Sequence, residues 1–288
     1  MNKQKTIFAG LLILLIVSLS FFLLQNHLNQ SETLIGGEHS QPTQEIKGFQ
    51  GAGAHISVHI EPLSDTEDAL TRWETMSQLV ELADSYGMKL SLHFSASPAN
   101  FVLQSSIRLA TLRKWEANGH EIAFHHHGQS HASWDGYSND PKARFESEYK
   151  GTIEDLLETV SALPKGGVIL SGSGTDEDTD WPTGVIYMTN GGSPPSSDYL
   201  ISKIDTVSYN DQEILFLTKA PFGVDKGFES TSVEFIEEHL TLIEQNEYIG
   251  LAFSDTDIGK YFDDVENLFK LYQEHDIVTS TLDSLLGE

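Results

Sequence analysis

After Gly51, the order of apolar and polar residues alternates between the periods of strands and helices. From His55 to Glu61 polar and aliphatic residues alternate strictly, which predicts a strand with one polar and one aliphatic face. From Asp65 to Tyr86 the apolar positions have helical spacing, and the pattern stops at Gly87. A strand followed by a helix is the unit from which parallel sheets are built.

The same alternation continues to the C-terminus. Further strands are predicted at Met88–Phe94, Glu121–Phe124, Val168–Leu170, Val185–Met188, Ile214–Leu217, Tyr248–Phe253 and Ile277–Ser280, and further helices at Ser106–Ala117, Arg144–Leu163, Ser232–Gln245 and Lys260–His275. Between Ser171 and Ser230 no helix pattern joins the strands, so we interpret this segment as a loop-rich, substrate-facing insertion. The pattern predicts a parallel sheet covered by helices, either a barrel or an open doubly wound sheet.

An apolar segment at the N-terminus predicts a membrane anchor. The uncharged run from Ile7 to Leu24 has 18 residues, close to the roughly 20 that cross a bilayer. Lys3 and Lys5 precede it, which places the rest of the chain outside the cytoplasm, held at the inner or plasma membrane. No Ala-x-Ala pattern follows, so an anchor in residues 1–25 is favoured over a cleaved signal segment and a secreted protein.

Composition narrows the classes of function. Polar residues 26–50 predict a flexible tether, and residues 51–288 the folded domain. The net charge of −26, from 17 Lys and Arg against 43 Asp and Glu, would repel nucleic acid, so no nucleic-acid partner is expected. The chain has no cysteine, which excludes disulfides, iron–sulfur clusters and zinc-thiolate sites. No glycine-rich loop leads from a strand into a helix, so nucleotide binding is not supported.

Five of the 12 histidines lie within the thirteen residues from Gly119 to His131, which include the third predicted strand. His125 and His127 are two residues apart, and His127 and His131 are four apart. Either spacing can place two imidazoles on one ion at about 2.0–2.1 Å. His120 lies at the start of the strand and suggests a structural role. His126 points away from its neighbours, as a partner of a ligand or as a surface residue.

The polar face of the first strand supports a site at the same end of the sheet. His59 and Glu61 stand at its C-terminal end, and His93 on the second strand repeats the pattern. In a barrel such a face lines the interior, where ligands bind near the C-terminal ends of the strands. For His93 both an interior-facing ligand-binding role and a hydrogen-bonded core role stay open.

The run Gly119–Ile122 leading into His125 resembles the second motif of the polysaccharide deacetylases of the NodB-homology type. Glu61–Pro62 after the first strand resembles the first motif, and a closing helix and strand at residues 268–283 extend the resemblance over most of residues 54–285. This resemblance implies an α/β fold, a distorted (β/α)7 barrel. It also implies metal-dependent hydrolysis of N- or O-acetyl groups on a glycan, with a divalent metal that is often zinc.

The resemblance implies roles for particular residues. The metal would lie among Glu61, His125 and His131, with His127 as an alternate ligand. The family carries two adjacent acids where this chain has one carboxylate, so Asp65 or Glu61 would be the general base. The predicted catalytic residues are thus Glu61 and Asp65, and the predicted metal ligands are Glu61, His125, His127 and His131.

The single carboxylate and a missing late histidine are two departures from the family that keep a second function open. No histidine stands near residues 253–255, where the family places its general acid, so Asp255 or Asp257 replaces it or the acid is missing.

The predicted substrate-binding residues are His59, His93, Trp134, Asp135, Tyr137 and Trp181. The tryptophan and tyrosine residues are included because aromatic faces pack on sugars. The sequence therefore predicts a hydrolase that removes acetyl groups from a cell-surface or extracellular glycan. The alternatives are a degenerate deacetylase fold that binds carbohydrate without cutting it, and a metal-binding domain without sugar contact.

Overall fold

Ten strands and seven α-helices make up the described part of the chain. The computed structural model describes residues 53–174, 181–190, 200–202, 204–209, 212–218, 220–222, 231–240 and 248–286. The strands are β1 (Gly53–Ile60), β2 (Ser91–Phe94), β3 (Glu121–His126), β4 (Ser171–Gly174), β5 (Tyr187–Asn190), β6 (Ile204–Tyr209), β7 (Gln212–Leu217), β8 (Ala220–Pro221), β9 (Tyr248–Ser254) and β10 (Val278–Thr279). The helices are α1 (Thr66–Ser85), α2 (Ala96–Leu103), α3 (Ser106–Ala117), α4 (Ile153–Ser161), α5 (Val233–His239), α6 (Phe262–Glu274) and α7 (Leu282–Leu286).

The strands form one sheet in the order β6-β7-β5-β4-β3-β2-β1-β9-β8, with β10 beside the start of β1. Neighbours along this path are parallel, except for the antiparallel pair β6 and β7. The prediction of an α/β fold with a parallel sheet is thus confirmed. Closure into the distorted (β/α)7 barrel is not seen among the described strands, because their order has two ends, at β6 and β8.

Strand β1 is buried on both faces. Its aliphatic face carries Ile56, Val58 and Ile60, which belong to the same apolar core as the buried side of α1. Its polar face carries His55, Ser57 and His59. Buried polar groups need hydrogen-bond partners, so this interior face has to be lined by further polar side chains.

Glu121 supplies part of that lining at the start of β3. Its buried carboxylate accepts hydrogen bonds from the hydroxyls of Ser91 and Ser171 and from the backbone N–H groups of Leu282 and Asp283. The two backbone donors open α7, so Glu121 fixes the last helix against the interior of the sheet.

Strand β4 corrects the prediction for residues 168–174, where the strand was expected at Val168–Leu170 and a loop after it. Ser171–Gly174 pairs with β3 instead, with Gly172 opposite Phe124. A Cβ at Gly172 would lie 2.9 Å from the carbonyl oxygen of Phe124. Glycine therefore stands in this strand because the neighbouring backbone comes too close for any side chain.

Two helices also differ from the prediction. Helix α2 was not predicted, since its eight residues follow β2 directly and show no long periodic pattern. The helix expected from Arg144 to Leu163 is shorter, because a capping box between Thr152 and Asp155 starts α4 at Ile153. The helix predicted over Ser232–Gln245 is described as α5, and residues 241–247 lie outside the described ranges.

The predicted location of the protein needs correction. Within the ranges given above, no helix combines the length and hydrophobicity that crossing a bilayer requires. The expected N-terminal anchor and the tether after it, residues 1–50, lie outside those ranges. An extracytoplasmic protein held at a membrane by an N-terminal helix is therefore not supported.

The environment of Glu121 makes folding stability depend on pH. Burial raises the pKa of Glu121 to about 7, and the nearby charge of Asp283 adds to this, although its hydrogen bonds act in the opposite direction. An unfolded Glu ionises near pH 4.5. The folded protein therefore retains a proton on Glu121 that the unfolded chain releases, and stability from this group falls as pH rises from about 4.5 to 7.

The substitution Glu121→Gln should remove this pH dependence while keeping the side chain's size. We expect the unfolding free energy of the wild type, relative to E121Q, to drop by roughly 2 kcal/mol between pH 5 and pH 8, since one pKa unit corresponds to about 1.4 kcal/mol. Urea unfolding of both proteins at the two pH values measures the difference. Glu81→Gln, at an exposed position on α1, is the matched control. An equal gap between wild type and E121Q at both pH values contradicts the prediction.

Candidate metal centre

Three histidines reach the interior face of the sheet at the C-terminal ends of adjacent strands. His59 on β1 pairs in register with His93 on β2. His93 in turn pairs with Ala123 on β3, and His125 follows two residues later on the same face. Because residues two apart point to the same side of a strand, the three imidazoles converge.

Glu61 follows β1 directly and brings a carboxylate to these rings. Its Oε2 atom lies 2.8 Å from Nε2 of His127 and 3.6 Å from Nε2 of His125. The two Nε2 atoms are 2.9 Å apart. His59 also belongs to the cluster, since one ligand atom each from His59, Glu61 and His125 lie within 4.8 Å of one another.

The separations suit ligands of a single ion. With metal–nitrogen bonds of about 2.0–2.1 Å, two ligand atoms are about 2.9 Å apart at a right angle and about 3.4 Å apart at the tetrahedral angle. The observed 2.8, 2.9 and 3.6 Å span this range. One carboxylate and two imidazoles form a common donor set for divalent transition metals. This cluster of His and Glu side chains can hold a metal ion.

Hydrogen bonds on the outer ring nitrogens set the protonation of the two closest histidines. His125 Nδ1 lies 3.3 Å from the carbonyl oxygen of Ser173 and 2.8 Å from its hydroxyl. His127 Nδ1 lies 3.1 Å from the carbonyl oxygen of Ser133. Because a carbonyl oxygen only accepts, each Nδ1 donates, and the neutral rings carry their lone pairs on Nε2, toward Glu61. This is the usual arrangement of metal-ligating imidazoles.

His131 has the opposite arrangement. The backbone N–H of Ser133 donates to Nδ1 of His131 at 3.1 Å, so the neutral ring carries its proton on Nε2. Its ring centre is 4.4 Å from that of His127, and the side chain is partly exposed. His131, predicted as a ligand, thus stands beside the cluster as an N–H donor. His127, predicted as the alternate ligand, points its lone pair into the cluster.

The charges of the cluster depend on one another. Burial alone would raise the pKa of Glu61, but the charge of His125 and hydrogen bonds from His125 and His127 lower it well below its ordinary value. Burial alone would lower the pKa of His127, but the hydrogen bond and charge of Glu61 outweigh it and raise that pKa. A carboxylate beside a protonated imidazole marks a position that a divalent cation can take by displacing the proton.

The two remaining interior histidines lie beside these rings. The ring centre of His59 is 4.5 Å from that of His125 and 5.8 Å from that of His93. His59 is 5% exposed and His93 is fully buried. Both were predicted to contact substrate, and the structure buries both side chains among the neighbouring rings.

A buried aspartate holds the histidine loop to the end of β3. Asp135 Oδ2 lies 2.9 Å from His126 Nδ1 and accepts the backbone N–H of His127 at 3.1 Å. Its Oδ1 accepts the backbone N–H of Tyr137, and Lys150 donates to its carbonyl oxygen. Asp135, predicted to bind substrate, is 2% exposed and orders the loop. His126 is buried and hydrogen-bonded to that aspartate, so it is not the surface residue that the sequence left open.

The aromatic residues predicted to stack on sugar differ in exposure. Trp134 is partly exposed and donates its indole N–H to the carbonyl oxygen of Tyr137 at 3.0 Å. Tyr137 and Trp181 are buried. Trp181 donates to the carbonyl oxygen of Val185 and packs edge-on against Phe124. Of these three aromatic residues, Trp134 has the solvent-exposed surface that a ligand could contact.

Asp65, predicted as a second acid, has a structural position. Its Oδ1 accepts the backbone N–H groups of Glu67 and Asp68 at 2.9 and 3.0 Å. It is therefore the exposed N-cap residue of α1. Glu61 is the carboxylate that the described ranges bring to the histidines.

Asp255 was considered as a substitute for the late histidine of the family. Its side chain is buried and forms hydrogen bonds within the protein. It is 4% exposed, and its Oδ1 accepts from Nη1 of Arg72 and the backbone N–H of Glu61, both at 3.1 Å. Burial raises its pKa to about 7, although Arg72 lowers it. Asp257, the other substitute, is also buried and forms an ion pair with Lys260.

Arg72 was missed as a residue of this region. A signal was present in the sequence, because Arg72 lies three residues after Ala69 and four before Met76, on the side of α1 that is buried. A lone arginine at such a position indicates a buried acceptor.

Comparison with known proteins supports the fold. No family model and no curated protein matches the sequence. A 4-alpha-glucanotransferase from Thermococcus litoralis superposes with a TM-score of 0.54 at 13% identity, over 84% of this chain and 41% of that one. A protein from Mycobacterium smegmatis assigned as a polysaccharide deacetylase gives a TM-score of 0.51 at 11% identity, over 82% of this chain and 88% of that one. At these identities the likeness shows the fold alone.

The glucanotransferase extends well beyond the part that this chain matches. This chain spans 41% of the glucanotransferase, less than half of that protein, but 88% of the deacetylase. The second likeness supports the predicted deacetylase resemblance at the level of the fold.

The role of Asp135 can be tested by its removal. We expect Asp135→Ala to lower the unfolding free energy by about 3 kcal/mol, because His126 and two backbone N–H groups lose a buried acceptor. Asp140→Ala is the control, since Asp140 is exposed and accepts one hydrogen bond, from the backbone of Lys142; it should cost less than about 1 kcal/mol. Urea unfolding of both variants provides the comparison, and equal losses would contradict the role.

Proposed function

We propose that this protein is a zinc-dependent hydrolase that removes acetyl groups from a glycan. The observation that carries the proposal is the triangle of ligand atoms from Glu61, His125 and His127, with sides of 2.8, 2.9 and 3.6 Å. The motif at Gly119–Ile122 and the deacetylase neighbour support the reaction type. We further propose that the sheet belongs to a distorted (β/α)7 barrel, with the site at the C-terminal ends of its strands.

The donor set fits zinc, and each residue has a defined part. Glu61, His125 and His127 would hold the ion, which leaves a coordination position open as catalytic zinc sites do. A bound zinc would polarise the acetyl carbonyl and acidify a water molecule. Ser173 and Ser133 keep the two imidazoles in the tautomer that binds metal.

His131 supplies a hydrogen bond at the rim of the site. Its neutral form presents an N–H on Nε2, because the backbone of Ser133 donates to Nδ1. A neutral imidazole that donates to an oxygen developing negative charge is an established way to stabilise a transition state. We therefore assign His131 to the acyl oxygen of the substrate instead of to the metal.

The charge of the chain bears on the substrate. With a net charge of −26, the protein would repel acidic polymers at long range. We therefore propose an uncharged or cationic glycan, with Trp134 as the aromatic residue that contacts it.

A second candidate function is glycan binding without hydrolysis. It is favoured by the commitment of Asp65 to the cap of α1 and of Asp255 to Arg72, which leaves Glu61 as the carboxylate at the site. Release of acetate from an acetylated glycan separates the two functions. A zinc-loaded protein that binds the glycan and releases no acetate establishes the second.

Zinc binding and activity should depend on the same residues. We expect about one zinc per chain, loss of acetate release on chelation and its return when zinc is added. His127→Ala and Glu61→Gln should each weaken zinc binding by at least about tenfold, since each removes a ligand atom. His275→Gln, at an exposed position after α6, is the control and should leave both properties unchanged. Activity that persists after complete removal of metal would refute the proposal.

The assignment of His131 predicts a different outcome for its variant. His131→Ala should bind zinc as the wild type does, while kcat falls about 10²-fold, which is the usual cost of losing one oxyanion donor. Zinc titration and steady-state kinetics on the same preparation test both parts. A large loss of zinc affinity would instead make His131 a ligand, as the sequence first suggested.

A further inference from the structure

A buried ion pair between Arg72 and Asp255 binds the backbone of Glu61 on both sides. Asp255 Oδ1 accepts the N–H of Glu61 at 3.1 Å. Arg72 Nη1 donates to the carbonyl oxygen of Glu61 at 3.2 Å and to Asp255 Oδ1 at 3.1 Å. Arg72 Nη2 donates to the carbonyl oxygen of Pro62 at 2.8 Å. Both peptide groups that flank the Glu61 side chain are thus fixed.

The pair also joins three elements where β1 ends. Arg72 comes from α1, and Asp255 follows β9 directly. The backbone N–H of Asp255 donates to the carbonyl oxygen of His59 at 3.0 Å, which continues the pairing of β9 with β1 by one more bond. Glu61 therefore leaves the sheet at a point that is held by a neighbouring strand and by a helix.

Stability alone is a weak reason for this arrangement. Arg72 is 8% exposed and Asp255 4%, so both charges lose most of their contact with water. A buried ion pair of this kind adds little net stability, because desolvation offsets the attraction. Its specific effect is geometric, since the planar guanidinium binds acceptors in a fixed direction.

We infer that Arg72 and Asp255 are positioning residues, which hold the Glu61 backbone so that its carboxylate meets His125 and His127. This inference rests on the proposed function, in which Glu61 is a metal ligand. Neither residue contacts the ion or the substrate. They act by fixing the one ligand that comes from outside the histidine loop and β3.

The chain offers a matched control in Asp68. Its Oδ2 lies 2.6 Å from Nη2 of Arg72, so it is a second carboxylate partner of the same arginine. Asp68 lies one helical turn away on the solvent side, with its side chain 30% exposed. Its hydrogen bonds are with Arg72, Ser64 and Asp65. It binds Nη2 of Arg72, whereas Asp255 and the carbonyl oxygen of Glu61 bind Nη1.

The test compares Asp255→Asn with Asp68→Asn in the full chain. Zinc is titrated against a competing chelator, and circular dichroism checks that each variant is folded. We expect the zinc Kd of D255N to rise about 10- to 100-fold, as for loss of a residue that orients a ligand. D68N should stay within about threefold of the wild type. Arg72→Lys, which keeps the charge and loses the planar fork, should weaken zinc binding as well and serves if D255N does not fold.

The outcomes separate this inference from the proposed function. Wild-type affinity in both D255N and R72K would overturn the positioning role and leave the metal centre intact. A wild type that takes up no zinc would refute the proposed function instead. In that case crystal structures of the metal-free wild type and D255N decide the inference. We expect the distance between Glu61 Oε2 and His127 Nε2, 2.8 Å in the wild type, to exceed about 4 Å in D255N, beyond hydrogen-bond reach. An unchanged distance would overturn the inference.

Discussion

The close approach of the Glu61 carboxylate to the Nε2 atoms of His125 and His127 is the constraint that organises this end of the sheet. Three groups that carry lone pairs meet within 3.6 Å at a largely buried position. Such a meeting is unfavourable unless a proton or a cation lies among them. The lowered pKa of Glu61 and the raised pKa of His127 are two expressions of that requirement. The surrounding hydrogen bonds direct Nδ1 of His125 and Nδ1 of His127 away from Glu61.

Much of this site could be predicted from the sequence. Strict alternation predicts that His59 and Glu61 point to the same side where β1 ends, and parallel pairing brings the ends of β1, β2 and β3 together. The clustering of His125 and His127 at the end of one strand then indicates a metal. These signals are local periods and spacings, which persist in any fold that keeps the strands parallel and in this order.

The parts that escaped prediction are those set by backbone contacts between distant segments. Whether His127 or His131 turns its lone pair inward is decided by the peptide of Ser133, and no residue type encodes that choice. The pairing of Arg72 with Asp255 joins residues 183 positions apart. Strand β4 escaped for a similar reason, since its glycines signal a loop until the neighbouring backbone of β3 is known.

Two buried aspartates fix the backbone of a metal-ligand candidate in the same way. Asp135 accepts the backbone N–H of His127, and Asp255 accepts the backbone N–H of Glu61, each at 3.1 Å. A ligand whose main chain is fixed keeps few side-chain rotamers that reach the shared point, so less conformational entropy is lost when an ion binds. The difference lies in their partners, since Asp135 meets His126 and Asp255 meets Arg72. Because the planar guanidinium of Arg72 directs its N–H groups in fixed directions, it holds Asp255 and the carbonyl oxygen of Glu61 together, whereas His126 binds Asp135 through Nδ1.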